Sequence, residues 1–366
     1  VLDLDQLLRV AVERRASDLH LKAGARPWLR IDGALEEAPF DTLEPKDTED
    51  AAGRLLSPAR AEQLRRSGDA EFMYAVPGLC RFRVSAFRQR GRVGLAIRRV
   101  VPGVPGLDAL GLPSVLSSLV DAPSGLVLVT GLAGSGRTST LAAMVDHVNT
   151  NERRHIVTIE DPIEVLHVDK ASIVDQREVG VDVTSVPAAL ARVVRQDPDL
   201  VVVGELTDEE AAQRVLEAAD TGHLVLAALA TVGAAEAVDR LADLFPLDRQ
   251  PATRALVART LRGVICQRLL PRAGGRGQVP ATEVLVVNNA VVDAIVDGRG
   301  TDRLEQLMRD GEYYGMQTFD QSIAQLYGRG LVERATALDN TSAGPALRLE
   351  LERIDRERDQ PVPTPA

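Results

Sequence analysis

The stretch Gly131-Leu-Ala-Gly-Ser-Gly136-Arg137-Thr138 stands directly after the apolar run Leu126-Val127-Leu128-Val129 and opens a segment of helical spacing. No other feature restricts the fold so narrowly. A glycine-rich turn between a buried strand and a helix lets backbone N–H groups converge on phosphate oxygens at the helix N-terminus, where the helix dipole adds its attraction. Three further short apolar runs follow, Ile156-Val157-Thr158-Ile159, Leu200-Val201-Val202-Val203 and Leu224-Val225-Leu226. Helical spacings cover Arg137 to Val148, Pro187 to Arg195, Asp208 to Asp220 and Ala234 to Leu244. Continuous apolar runs alternating with helices are the pattern of parallel strands covered on both faces, so this part is expected to be a doubly wound α/β domain.

The N-terminal part has a different texture. Leu4, Leu7, Leu8, Ala11 and Val12 recur at helical spacing, ending near Arg14-Arg15. Strand-like pieces follow from Asp18 to Ile31, then one helix over Thr48 to Arg66 and two β segments, Ala70 to Val76 and Cys80 to Val100. This block is α+β. Two prolines and two glycines within Val101-Pro102-Gly103-Val104-Pro105-Gly106 read as a linker. The expected organisation is an N-terminal domain at 1–100, a linker at 101–112, a nucleotide-binding domain at 113–345 with a helical C-terminal part, and a disordered tail at 346–366.

Acidic residues end two of the apolar runs, in Thr158-Ile159-Glu160-Asp161-Pro162-Ile163-Glu164 and Val203-Gly204-Glu205. Carboxylates at the carboxyl ends of parallel strands lie where open α/β sheets bind ligands, and there one acid can polarise an attacking water while another holds Mg²⁺. Gly131, Gly134, Ser135, Gly136, Arg137, Thr138 and Ser139 are the candidate nucleotide-binding residues, with Thr138 as the expected magnesium ligand. The usual lysine is Arg137 here. A planar guanidinium fork does not replace a compact ammonium between two phosphates, so binding is expected to survive better than turnover.

Other chemistries find little support. The 366 residues carry 43 Lys and Arg against 53 Asp and Glu, a net charge of −10, which argues against nucleic acid as partner. No run of about 18 apolar residues is present to span a bilayer, and no secretory signal is readable at the start. The five histidines lack zinc-binding spacing, and the two cysteines, Cys80 and Cys266, suggest neither disulfides nor a metal site. Cys266 reads as a buried structural thiol.

Taken together, these elements resemble the secretion-type motor ATPases of the type IV pilus retraction (PilT-like, twitching motility) family. The likeness runs from Ala16-Ser-Asp-Leu-His-Leu-Lys22 and Leu29-Arg-Ile-Asp-Gly33 through Arg81-Phe-Arg-Val84, Ile159-Glu-Asp-Pro-Ile-Glu164, Arg195-Gln-Asp-Pro-Asp199 and Thr221-Gly-His-Leu224 to Tyr314-Gly-Met-Gln-Thr-Phe-Asp-Gln321. It implies a PAS-like N-terminal domain joined to a RecA-like ATPase core, with ATP and Mg²⁺ as cofactors and a hexameric ring that is homomeric or mixed with a paralogue. The ring would associate only peripherally with the membrane, at the cytoplasmic face, against the inner-membrane pilus platform protein.

The resemblance assigns Glu160 as general base, Thr138 and Glu205 to the metal, His223 as a nucleotide-state sensor, and Arg81, Arg83 and Arg98 as inter-domain arginines. This chain departs from the pattern at the chemistry. Besides Arg137, the second sensor histidine is Ala230, the arginine two residues after Glu205 is Thr207, and Ala290 to Asp297 lacks both arginines of the retraction motif. Two readings fit: a retraction motor with weakened hydrolysis, or a non-hydrolysing regulatory or structural subunit that modulates an intact paralogue.

Overall fold

The computed structural model describes residues 2–359 apart from 32, 101, 102, 276, 299, 342 and 343. The chain divides into two compact units, Val1–Gly103 with Pro162–Leu166, and Val104–Asp161 with His167–Ala366.

In the first unit, α1 (Leu4–Glu13) precedes β1 (Asp18–Lys22), β2 (Trp28–Ile31) and β3 (Ala34–Glu37). Then come α2 (Pro45–Leu55), α3 (Pro58–Ser67), β4 (Asp69–Val76), β5 (Cys80–Gln89) and β6 (Arg92–Val100). Among the described residues the strands form one antiparallel sheet, ordered β3-β2-β1-β6-β5-β4. Its period-two pattern separates two faces. The cross-strand row Leu29, Leu19, Ile97, Val84, Phe72 is buried together with Leu7 and Leu8 of α1. The adjacent row on the other face reads Arg30, Asp18, Arg98, Arg83.

The single helix expected over Thr48 to Arg66 is two helices. Pro58 disfavours helical backbone at Ser57, and Ser57 instead caps α3 by accepting from the Arg60 amide at 3.4 Å. The β segment Cys80 to Val100 is a hairpin turned at Arg90-Gly91, both with positive φ (48° and 75°).

The second unit opens with α4 (Leu107–Leu110) and α5 (Val115–Val120), followed by β7 (Gly125–Thr130), α6 (Arg137–Asn151), β8 (His155–Glu160) and β9 (Ile173–Glu178). It continues with α7 (Val186–Val193), β10 (Leu200–Val203), α8 (Glu209–Asp220), β11 (Leu224–Leu229), α9 (Ala234–Asp243) and α10 (Gln250–Thr260). The hairpin β12 (Leu261–Pro271) and β13 (Gln278–Val286) precedes α11 (Asn289–Asp297), α12 (Thr301–Asp310), a 3₁₀ turn (Glu312–Tyr314), α13 (Phe319–Gly328), α14 (Arg334–Asp339) and α15 (Gly344–Asp359).

The described strands order as β13-β12-β7-β11-β10-β8-β9, all parallel except β13. Helices cover both faces: Leu126 and Leu128 of β7 join the core of α7 to α10, whereas Val127 and Val129 join Leu116 of α5 and Met144 of α6. That is the doubly wound α/β architecture.

Three differences from the sequence expectation stand out. The segment expected as a linker at 101–112 carries α4, and Leu107 and Leu112 are buried in the core beside Leu116 and Leu119; Val101 and Pro102 lie outside the described residues. The hairpin β12–β13 and the edge strand β9 lengthen the sheet. The expected disordered tail 346–366 is helical over its part in α15, where Leu347 and Leu351 are buried against the core; its remainder, 360–366, lies outside the described residues. Arg358 also lies over the Tyr327 ring at 4.7 Å, fastening α15 to α13.

Candidate functional site

The glycine-rich loop leaves the carboxyl end of β7 and enters α6. Gly131 (φ 142°) and Gly136 (φ 92°) hold backbone that other residues rarely adopt, and each faces a wall. A Cβ on Gly131 would lie 2.6 Å from the Gln267 carbonyl oxygen, and one on Gly136 would lie 2.7 Å from Gln267 Nε2. Between them the Ser135 amide donates to the Leu132 carbonyl at 3.1 Å, closing a tight turn. Ser135 Oγ is buried without a hydrogen-bond partner among the described residues. Beyond Gly136 the first turn of α6 exposes Thr138 and Ser139. A cradle only glycine can line, a helix N-terminus and an unsatisfied hydroxyl together fit phosphate oxygens.

The acids share that edge. Val203 of β10 pairs with Ile159 of β8, and the Gly204 amide donates to the Ile159 carbonyl at 2.9 Å, so Glu160 and Glu205 emerge side by side from neighbouring strands. Glu160 accepts from Thr158 Oγ1 at 2.6 Å and from Gln176 Nε2 of β9 at 3.1 Å, which fixes the carboxylate. Glu205 is held differently. Arg137 Nη1 donates to Glu205 Oε1 at 2.8 Å, and the Arg137 side chain is only 16% exposed against 44% for Glu205. The cation in the lysine position is thus drawn to the acid expected at the metal.

His223 does not join this group. It precedes β11, and Leu224 pairs with Gly125 at the start of β7, whereas Leu229 pairs with Thr130 beside the loop. Six strand residues separate it from the loop edge, roughly 20 Å. Its Nδ1 lies 3.1 Å from the Ala218 carbonyl at the end of α8. His223, expected as a nucleotide-state sensor, therefore stands at the far end of β11 from the loop, whereas Ala230 follows the end beside the loop and has no proton to share.

The three arginines lie on the polar face of the first unit's sheet. Arg83 Nη1 donates to Glu164 at 2.7 Å and Nη2 to Glu71 at 3.0 Å, and Arg98 Nε donates to Asp18 at 2.7 Å. Arg81 shares their face, two residues before Arg83. Burial works to raise the Asp18 pKa, but the hydrogen bonds from Arg98 and Ser17 hold it below the usual carboxylate value.

Sequence reasoning missed Gln176, Thr140 and Gln267. Gln267 is 2% exposed; its Nε2 donates to the Ser135 carbonyl at 2.6 Å, and its Oε1 accepts from Thr140 Oγ1 at 2.7 Å. No local motif marks it, because it enters from β12. Cys266 beside it is buried as expected, with its thiol pushed up to about 11 by burial.

The family model described as Type II/IV secretion system protein matches residues 1–318. The chain belongs to this family. Within the type II/IV secretion family it is a PilT-like ATPase: it is 37% identical over 336 residues to the type IV pilus retraction ATPase PilT of Pseudomonas aeruginosa, covering 92% of this chain and 97% of that one. The same organism's type IV pilus ATPase PilU is 35% identical over 348 residues, covering 95% of this chain and 91% of the relative. A crystal structure described as the pilus retraction motor PilT with bound ADP superposes with a TM-score of 0.88 at 39% identity, covering 95% of this chain and all of the other.

Proposed function

We propose that this chain is an ATP-binding motor subunit of the type IV pilus machinery, acting in pilus retraction as part of a hexameric ring. The observation that carries the reading is the cradle between β7 and α6, with its close-walled glycines and buried Ser135 hydroxyl. Gly131 to Ser139 hold the nucleotide phosphates, and Glu160, fixed by Thr158 and Gln176, faces the reacting edge as general base. Thr138 and, once released by Arg137, Glu205 are the residues that would hold Mg²⁺, whose bound charge would offset that of the phosphates. The ring sits at the cytoplasmic face of the inner membrane against a platform protein, attached peripherally; among the described residues no helix is long and apolar enough to cross a membrane.

The pair Arg137–Glu205 and the residue Ala230 favour a second reading: a subunit that binds nucleotide, hydrolyses it weakly or not at all, and modulates an intact paralogue in a mixed ring. Phosphate release from Mg²⁺ and ATP, measured beside ADP binding by calorimetry, separates the two. Binding with turnover supports the motor; binding without turnover supports the modulator; absence of binding removes both. Native mass with and without ADP tests the ring, which is expected to form or tighten with ligand.

A further inference from the structure

We infer that Gln267 is the positioning residue that sets the shape of the phosphate loop, an inference that rests on the nucleotide-site reading above. The register of the sheet puts it there. Strand β12 pairs with β7 up to Cys266 opposite Thr130, so the next residue, Gln267, stands level with Gly131 at the point where β7 gives way to the loop. Its backbone carbonyl walls the cradle at Gly131, and its side chain walls it at Gly136.

The carboxamide then uses its two ends in opposite senses. The amide end donates to the carbonyl of Ser135, tying that oxygen to β12, and the oxygen end accepts from the Thr140 hydroxyl in the first turn of α6. The residues between these two anchors are Gly136, Arg137, Thr138 and Ser139, the part of the loop that must present its N–H groups inward. A carbonyl released to point into the cradle would repel a phosphate, whereas a carbonyl tethered outward leaves the amides facing it. A side chain with a donor and an acceptor on one rigid plane holds both anchors: ionised glutamate lacks the donor, and methionine has no donor and only a weak acceptor.

The test compares the full chain with Gln267→Met and with Ile265→Ala, a buried apolar change on the same strand that removes packing but no hydrogen bond. Calorimetric titration with ADP is paired with thermal unfolding of the unliganded proteins. Gln267→Met is expected to weaken ADP binding about tenfold, the equivalent of one buried hydrogen bond lost, while Ile265→Ala lowers the melting temperature and leaves ADP affinity within about twofold. If Gln267→Met does not fold, Thr140→Val removes the same clamp from the other side and is expected to weaken ADP binding by about threefold or more. Wild-type binding with unchanged affinity in the Gln267 variant, or in Thr140→Val where it substitutes, overturns the inference. So does an equal loss in Ile265→Ala. Failure of the unaltered chain to bind ADP instead strikes the nucleotide-site reading itself.

Discussion

Arg137 concentrates the chemistry of this chain in one side chain. A lysine at that position carries a point charge on a flexible stem; the guanidinium reaches further and finds Glu205 at 2.8 Å. Arg137→Lys removes that bidentate-capable partner and restores a compact cation, so ATP turnover is expected to rise about tenfold or more, measured as phosphate release at saturating ATP; unchanged turnover would show that Arg137 is not what limits the site. Asp18 gives a residue-scale prediction of another kind. Its folded pKa is depressed, so its contribution to stability is present above the ordinary carboxylate value of 3.8 and fades as the pH falls through the folded value. Asp18→Asn is therefore expected to lower the urea midpoint at pH 7 and to make progressively less difference as the pH falls below 3.8. The glycine loop and both strand-end acids were legible because each motif is contiguous in the chain. Gln267 was not, since its partners Ser135 and Thr140 lie well over a hundred residues away and meet it only through strand pairing.

At the scale of elements, periodicity told helix from strand well and boundaries less well. The four central strands were visible as uninterrupted apolar runs, since both of their faces are covered. Edge strand β9 was not, because Ile173-Val-Asp-Gln-Arg-Glu178 mixes exposed and half-buried positions and shows no apolar run. The hairpin β12–β13 did carry a signal, the apolar run Val264-Ile265-Cys266 followed by glycines at 274, 275 and 277, that a reading centred on βα alternation passes over. His223 shows a subtler limit: a motif places a residue next to a strand without saying at which end of the sheet that strand begins. The charged composition of 349–358 hid α15, whose apolar residues are few but buried. Leu351→Ala is expected to cost about 2–5 kcal/mol, read as a lower urea midpoint at unchanged slope, whereas a tail carrying no packing would tolerate it.

For the molecule as a whole, the division into an α+β unit and a doubly wound unit followed from the change of texture near residue 100, though the second unit begins its packing earlier than a linker to residue 112 allows. A ligand that binds only the folded chain raises its stability by mass action. At an ADP concentration of about 100 times Kd the gain is about 2.7 kcal/mol, and the melting transition is expected to climb with ligand; a melting curve indifferent to ADP would contradict a nucleotide site. Arg137 and Glu205 also set how such a ligand arrives. Because the two are paired at rest, Arg137 does not offer a polyanion an uncompensated charge, and on the nucleotide-site reading capture would fall more to the short-range amides of the loop. On that reading each arrival would be an exchange of partners, in which the incoming anion would take the guanidinium and set a carboxylate loose at the moment a cation accompanying the anion needs one.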